Sequence, residues 1–300
     1  MKLVADFDGV MTNLNHEAKR VQELVVELWS TSEGNSATPQ AWFDRAMQAV
    51  VANPESWGWE ILGRISAYAD EDAFVQTNAI GSWLDTRTPH EPALQTALLK
   101  LKASGIDSYK ALAQRAYIRM TEEVMSSSLT PIDPETRPAL EKLIAIGVDV
   151  VITSNSGTDR ILDIFKKAGI PACAHPERKA GFVRVRGGAR KFELGTSAKL
   201  VRMGDREVDI ARPVYDGILR EELPDAVIGD VFSLDLALPF ALASSEPKLF
   251  PRGLRALLRE REYTPKWSKD LCRSRWQQGT AVLEHVTDLR QLPELFSGLK

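Results

Sequence analysis

An apolar run that stops at two carboxylates and a glycine, Lys2-Leu-Val-Ala-Asp6-Phe-Asp8-Gly-Val-Met-Thr12, constrains this chain more than any other feature. Leu3, Val4, Ala5 and Phe7 suit a buried strand, and in an extended chain Asp6 and Asp8 project to one side because side chains alternate with period two. Both carboxylates therefore stand at the strand's carboxyl end, where Gly9 lets the backbone turn. In an open parallel α/β sheet that end borders the crevice where ligands bind. Two like charges so placed need a cation between them or a shared proton. A strand closing in an Asx-type turn shows the same residues without any chemistry.

The chain has 300 residues, 44% of them hydrophobic, enough for one large core or two moderate ones, and its net charge of -3 gives no global pull toward nucleic acid or membrane. Two cysteines, Cys173 and Cys272, supply neither a disulfide framework nor zinc-ligand spacing. The expected location is the cytoplasm. The first apolar run breaks at Asp6, unlike a signal peptide, and no stretch is long and apolar enough to span a bilayer.

From Asn15 to Thr130 the pattern is helical almost throughout. Val21, Leu24, Val25 and Leu28 recur at helical spacing, as do Leu94, Leu98, Leu99 and Leu101 before Gly105. Breakers at Asn53-Pro54 and Thr88-Pro89-His90-Glu91-Pro92 divide this stretch, and Ser108 opens a helix to about Met125. Strand signals are nearly absent. After Thr130-Pro131-Ile132-Asp133-Pro134 helix and strand alternate, the mark of a parallel sheet covered by helices.

Glu135 to Ile146 reads as a helix closed by Gly147, and Val148 to Ile152 as a buried strand that delivers Thr153-Ser154-Asn155-Ser156-Gly157. The helix that follows, to Lys167, has amino-terminal amides suited to an anion, although a capped strand-to-helix turn uses the same residues. A third strand end is Asp225-Ala-Val-Ile-Gly229-Asp230, followed at five residues by Asp235. Carboxylates without histidine or cysteine suit a hard cation such as magnesium. Asp235 alone also fits a helix amino-terminal charge.

Asp-x-Asp-Gly, then strand-Ser-Asn, then strand-Gly-Asp with a further Asp, in this order, resembles the haloacid-dehalogenase-like superfamily. The resemblance covers Met1 to Asn13 and about Ile132 to Asp235, with a similar ending at Ala281-Val-Leu and Leu289 to Phe296. It implies an α/β fold: a doubly wound parallel sheet, a Rossmannoid core of residues 1-14 and 131-300, with an α-helical cap of residues 15-130. Gly181 to Ala211 reads as an inserted set of β-hairpins turning at Gly187-Gly188 and Gly204-Asp205.

By the same resemblance Asp6 is the nucleophile, Asp8 the general acid/base and Ser154 the hydroxyl that holds the transferred phosphoryl group, with Thr153 as its rival. Asn155 and Gly9 join Ser154 in binding phosphate. Asp6, Asp8, Asp230 and Asp235 hold Mg2+. The base that neutralises nucleophile and phosphate is Arg212, which precedes Pro213, with Lys191 and Lys199 as rivals. The implied activity is a magnesium-dependent phosphatase acting on a small phosphorylated metabolite through an aspartyl-phosphate, since the superfamily's dehalogenases lack an acid at the second position. A mutase, a phosphonatase and a binding module on the same fold are the alternatives. The sequence does not reveal an oligomeric state.

The basic and aromatic stretch with Arg252, Arg255, Arg259, Arg261, Lys266, Lys269, Arg273 and Arg275 near Tyr263, Trp267 and Trp276 is interspersed with Glu260, Glu262 and Asp270. Mixed signs favour a salt-bridged face over a nucleic-acid surface. Cys173 and His175 are too few for a metal site. Trp57 and Trp59 suit either a substrate side of the cap or its core.

Overall fold

The computed structural model describes residues 1–34, 37–126 and 131–297. Two compact units emerge, one of Met1–Leu14 with Thr130–Lys300, the other of Asn15–Leu129. The expected boundary at 130 and the chain end at 298–300 lie outside the described residues.

Twelve strands occur among the described residues, in chain order Lys2–Ala5 (β1), Gly58–Ile61 (β2), Arg64–Tyr68 (β3), Asp149–Thr153 (β4), Ala172–Ala174 (β5), Val183–Arg186 (β6), Leu200–Met203 (β7), Arg206–Asp209 (β8), Ala226–Gly229 (β9), Leu254–Arg259 (β10), Gln277–Gln278 (β11) and Ala281–Val286 (β12). Eight of them form one sheet in the order β11-β12-β10-β9-β1-β4-β6-β5. Every pairing is parallel except β11 with β12. This mostly parallel sheet, with a helical insertion after its first strand, is the architecture that the haloacid-dehalogenase-like resemblance implies.

β1 lies in the middle, with Leu3 beside Val150 of β4 on one side and Ala226 of β9 on the other. Strands covered on both faces read as continuous apolar runs, which is why Leu3-Val-Ala, Val150-Val-Ile and Ala226-Val-Ile show no alternation. Leu3, Ala5, Val150, Ile152 and Ile228 share one buried cluster with Phe7 and Phe165, whose rings meet edge to face at 5.3 Å. At the amino ends of β1, β4 and β6 an ion network closes the sheet. Glu222 takes Lys2 Nζ at 2.9 Å and Arg184 Nη2 at 3.0 Å, and Arg184 also reaches Asp149 at 2.7 Å. Burial pushes the Glu222 carboxyl up, but Lys2, Arg184 and His175 outweigh it and hold it down at about 2.

The inserted unit contains Asn15–Glu33 (α1), Ala37–Ala52 (α2), Ala73–Arg87 (α3), Pro92–Ala103 (α4) and Tyr109–Ser126 (α5). Trp29 packs against Tyr109 in a core of its own, and Asp72 caps α3 by accepting from the Phe74 and Val75 amides. The expected breakers fall where predicted, in short 3-10 turns at Pro54–Ser56 and Thr88–His90. The near absence of strand does not hold: β2 and β3 pair as an antiparallel hairpin around Leu62-Gly63. Four- and five-residue strands are too short for alternation to stand out from the helical pattern around them. Trp59 lies on this hairpin, half-buried, and Trp57 packs against the unit's core.

The stretch from Gly181 to Ala211 also departs from expectation. Only β7 and β8 make a hairpin there, turning at Gly204-Asp205, whereas Val183–Arg186 is a strand of the main sheet. Gly187-Gly188 is a site of close approach. The Gly187 amide donates to Thr158 Oγ1, the Gly188 amide to Ser156 O and the Ala189 amide to Ser154 O, so the loop after β6 is fastened to the loop after β4. A Cβ on Gly187 would run into the backbone of Ser156, Gly157 and Thr158. Gly187→Ala should therefore lower stability by about 1–3 kcal/mol, as overpacking does; an unchanged denaturant midpoint would contradict this close packing.

Candidate active site

Within the core unit, the carboxyl ends of β1, β4 and β9 carry Asp6, Ser154 and Asp230, each one residue beyond its strand. Asp235 closes the short helix Phe232–Asp235 (α6), and Gly229 makes room for it: a Cβ at Gly229 would run into the Asp235 Cβ. Carboxylate oxygens of Asp6, Asp230 and Asp235 all lie within 4.8 Å of one another.

The cation at this cluster is Lys191. Its Nζ donates to Asp6 Oδ1 at 2.9 Å and to Asp235 Oδ1 at 2.7 Å, and its side chain is 2% exposed. Placement comes from the loop after β6, because Asn155 Oδ1 accepts the Lys191 amide at 2.7 Å and Arg212 Nη1 donates to the Lys191 carbonyl. Arg212, the base preferred from sequence, thus supports the lysine's backbone where Lys191 meets the carboxylate. Lys199 is exposed and meets Asp209 through its backbone amide.

Burial above all, with Asp235 and Asp8, raises Asp6 from 3.8 to about 7 against the downward pull of Lys191. Burial works against the Lys191 charge too, yet Asp235 and Asp6 outweigh it and shift that ammonium upward. The two directions agree physically. Three ionised carboxylates facing one ammonium leave two negative charges in excess, and Asp6 carries the strain of that excess. An all-oxygen set of this charge fits a hard divalent cation, which prefers carboxylate and water ligands.

Asp8 stands apart from this cluster. Its Oδ2 accepts from Ser156 Oγ at 2.6 Å and from Ser154 Oγ at 3.3 Å, and its Oδ1 accepts from Arg160 Nη1 at 2.9 Å. Its carboxylate is therefore turned toward the loop after β4, away from the expected set of metal ligands. Ser154 and Thr153 are both buried, and it is the Ser154 hydroxyl that meets Asp8. The Gly9 amide, an expected phosphate donor, is engaged by Thr12 Oγ1 at 3.1 Å.

Sequence reading gave no individual role to three participants. Ser156 lies in the loop before the helix Thr158–Lys167 and Arg160 in its first turn, and Arg160 Nη1 donates to Ser156 Oγ at 2.8 Å. Tyr263, from the loop after β10, donates to Asp230 Oδ2 at 2.7 Å. Its neighbour Arg261 donates to the carbonyls of Gly9, Val10 and Thr12 and to Asp133. The basic stretch is otherwise bound up in ion pairs, among them Arg255 with Glu284, Arg259 with Glu135 and Arg273 with Glu260.

No family model matches the sequence, and no curated protein matches it. Solved structures similar to it include a 2-haloacid dehalogenase of Pseudomonas syringae pv. Tomato DC3000, 13% identical over 100% of this chain and 99% of that one, with a TM-score of 0.43. CbbY of Rhodobacter sphaeroides, in complex with xylulose-(1,5)bisphosphate, is 12% identical over 97% and 95%, with a TM-score of 0.42. A haloacid dehalogenase-like family hydrolase of Xanthomonas campestris is 11% identical over 100% and 95%, with a TM-score of 0.40. Among the described residues no helix is long and apolar enough to cross a membrane.

The charge imbalance has a measurable consequence. A carboxyl raised from 3.8 to about 7 stays protonated in the fold while the unfolded chain has released its proton, so its contribution to stability falls as pH rises through that window. In excess chelator, the thermal midpoint of the wild type should fall relative to Asp6→Asn between these pH values. Parallel curves for the two proteins would refute the assignment of the excess charge to Asp6.

Proposed function

We propose that this chain is a magnesium-dependent phosphatase that hydrolyses a phosphoric monoester of a small metabolite through an aspartyl-phosphate on Asp6. The observation that carries this reading is the buried Asp6–Lys191–Asp235 contact beside Asp230 at the carboxyl ends of parallel strands, with a second acid two residues beyond the first.

In the first step a carboxylate oxygen of Asp6 attacks phosphorus in line, and the bond from phosphorus to the leaving oxygen breaks. Lys191 favours the ionised form of Asp6 against the upward push of burial, orients its carboxylate and offers its charge to the phosphoryl oxygens. Asp8 protonates the leaving oxygen, then takes a proton from the water that attacks the aspartyl-phosphate, freeing phosphate and regenerating Asp6. For this the substrate must draw Asp8 away from Arg160 and Ser156, which leaves Ser154 to hold the phosphoryl group. Asp6, Asp230 and Asp235 would hold magnesium, whose chemistry is to offset negative charge on the phosphoryl oxygens. We assign choice of substrate to the helical unit, the cap of this reading.

Purified protein should release phosphate from some member of a phosphometabolite panel in the presence of Mg2+. Asp6→Asn should abolish the activity and Asp8→Asn should lower it by about 10²–10⁴-fold, the usual share of general acid–base catalysis. Undiminished turnover in Asp6→Asn, or in excess chelator, would sink the mechanism.

A further inference from the structure

Tyr263 belongs to the basic, aromatic stretch that the proposed reaction leaves unused, yet its hydroxyl lies 2.7 Å from Asp230 Oδ2. The contact is built into the fold. Gly9, at φ +75°, passes beneath it, and a Cβ there would collide with the Asp230 carboxylate and come within 2.8 Å of Tyr263 Oη. Arg261, two residues before Tyr263, fastens the same loop to the Gly9, Val10 and Thr12 carbonyls.

The other two carboxylates of the cluster are bound in a comparable way. Asp6 Oδ1 accepts from Lys191, and Asp235 accepts from Lys191 on Oδ1 and from the Val231 amide on Oδ2. Turning both oxygens of any of the three acids to a cation would therefore compete with the direction of a donor already in place. This matters for the choice of ion. Mg2+ is small and keeps a strict octahedral shell that includes several waters, whereas Ca2+ takes six to eight oxygens and is commonly held by bidentate carboxylates.

We infer that Tyr263 is a positioning residue that restricts Asp230 to one-oxygen ligation and thereby makes the cluster select Mg2+ over Ca2+; this rests on the cluster being the metal site of the proposed phosphatase. Of the donors involved, Lys191 also balances charge and Val231 contributes backbone. The Tyr263 hydroxyl is the one that can be removed with the acidic set and its charge unaltered. Tyr263 is half-buried, so a phenylalanine ring can take its place.

The test is calorimetric titration of full-length wild type and Tyr263→Phe with Mg2+ alone and with Ca2+ alone, thermal melts confirming that both fold. A hydrogen bond to a charged group is worth roughly tenfold or more in an equilibrium, so the ratio of Ca2+ to Mg2+ affinity should rise about tenfold in Tyr263→Phe. A general loosening of the loop would weaken both ions together and leave the ratio alone. An unchanged ratio in a variant that binds Mg2+ overturns the role of Tyr263 and leaves the phosphatase reading intact. Failure of the wild type to bind either ion overturns both.

Discussion

Lys191 brings a buried ammonium into contact with Asp6 and Asp235 where little water reaches to screen them, and much of the surrounding structure serves to keep it there. A buried ion pair stabilises only when its geometry is good and its remaining donors and acceptors are satisfied. The chain meets that condition from several directions. The loop after β6 is bonded step by step to the loop after β4, Asn155 takes the Lys191 amide, Arg212 takes its carbonyl, and Tyr215 presents its ring 5.5 Å from the ammonium while its hydroxyl bonds the Asp235 carbonyl. Asp235 itself is seated by the missing side chain of Gly229. Removing one charge from such an arrangement leaves the others buried and opposed, which explains why so many neutral contacts converge on a single lysine.

What the sequence disclosed and what it concealed follow from the range of the forces concerned. Asp6, Ser154 and Asp230 were legible because each ends a buried strand, and burial writes an apolar run directly into the residues before it. Asp8 was legible as a residue, but its partners Ser156 and Arg160 depend on where the helix after β4 begins. Lys191 was only one of three bases in contention, since a loop lysine has no local pattern and its reach is decided by hydrogen bonds to residues more than thirty positions away. Arg212 looked stronger because Pro213 marks a helix start, a true local signal attached to a supporting role. Gly187-Gly188 misled for a related reason: glycine pairs serve turns and close approaches alike, and only the neighbouring strand tells them apart. Tyr263 stood out only as one aromatic of a charged stretch, and nothing local to it points to Asp230.

The two ends of the sheet answer the same electrostatic problem differently. At the amino ends Lys2, Arg184 and Arg186 face Glu222, Asp149 and Glu221, so acids and bases balance and the Glu222 carboxyl is held low. His175, Glu221 and Glu222 also lie close enough to suggest a metal site, but the cations already there make a further one unfavourable. At the carboxyl ends acids outnumber bases and Asp6 is pushed up. One end is electrostatically complete without a ligand; the other is not.

The central position of β1 also bears on how the molecule comes into being. Its neighbours β4 and β9 are supplied only after the whole helical unit has been synthesised, so the strand bearing Asp6 waits unpaired while that unit, rich in local helix contacts, has what it needs to form early. β9 then arrives with Asp230, and Asp235 follows within a few residues. The acids thus converge late in folding, and a chain interrupted before that point has Lys191 for Asp6 and Arg160 for Asp8 but lacks the two acids that complete the cluster.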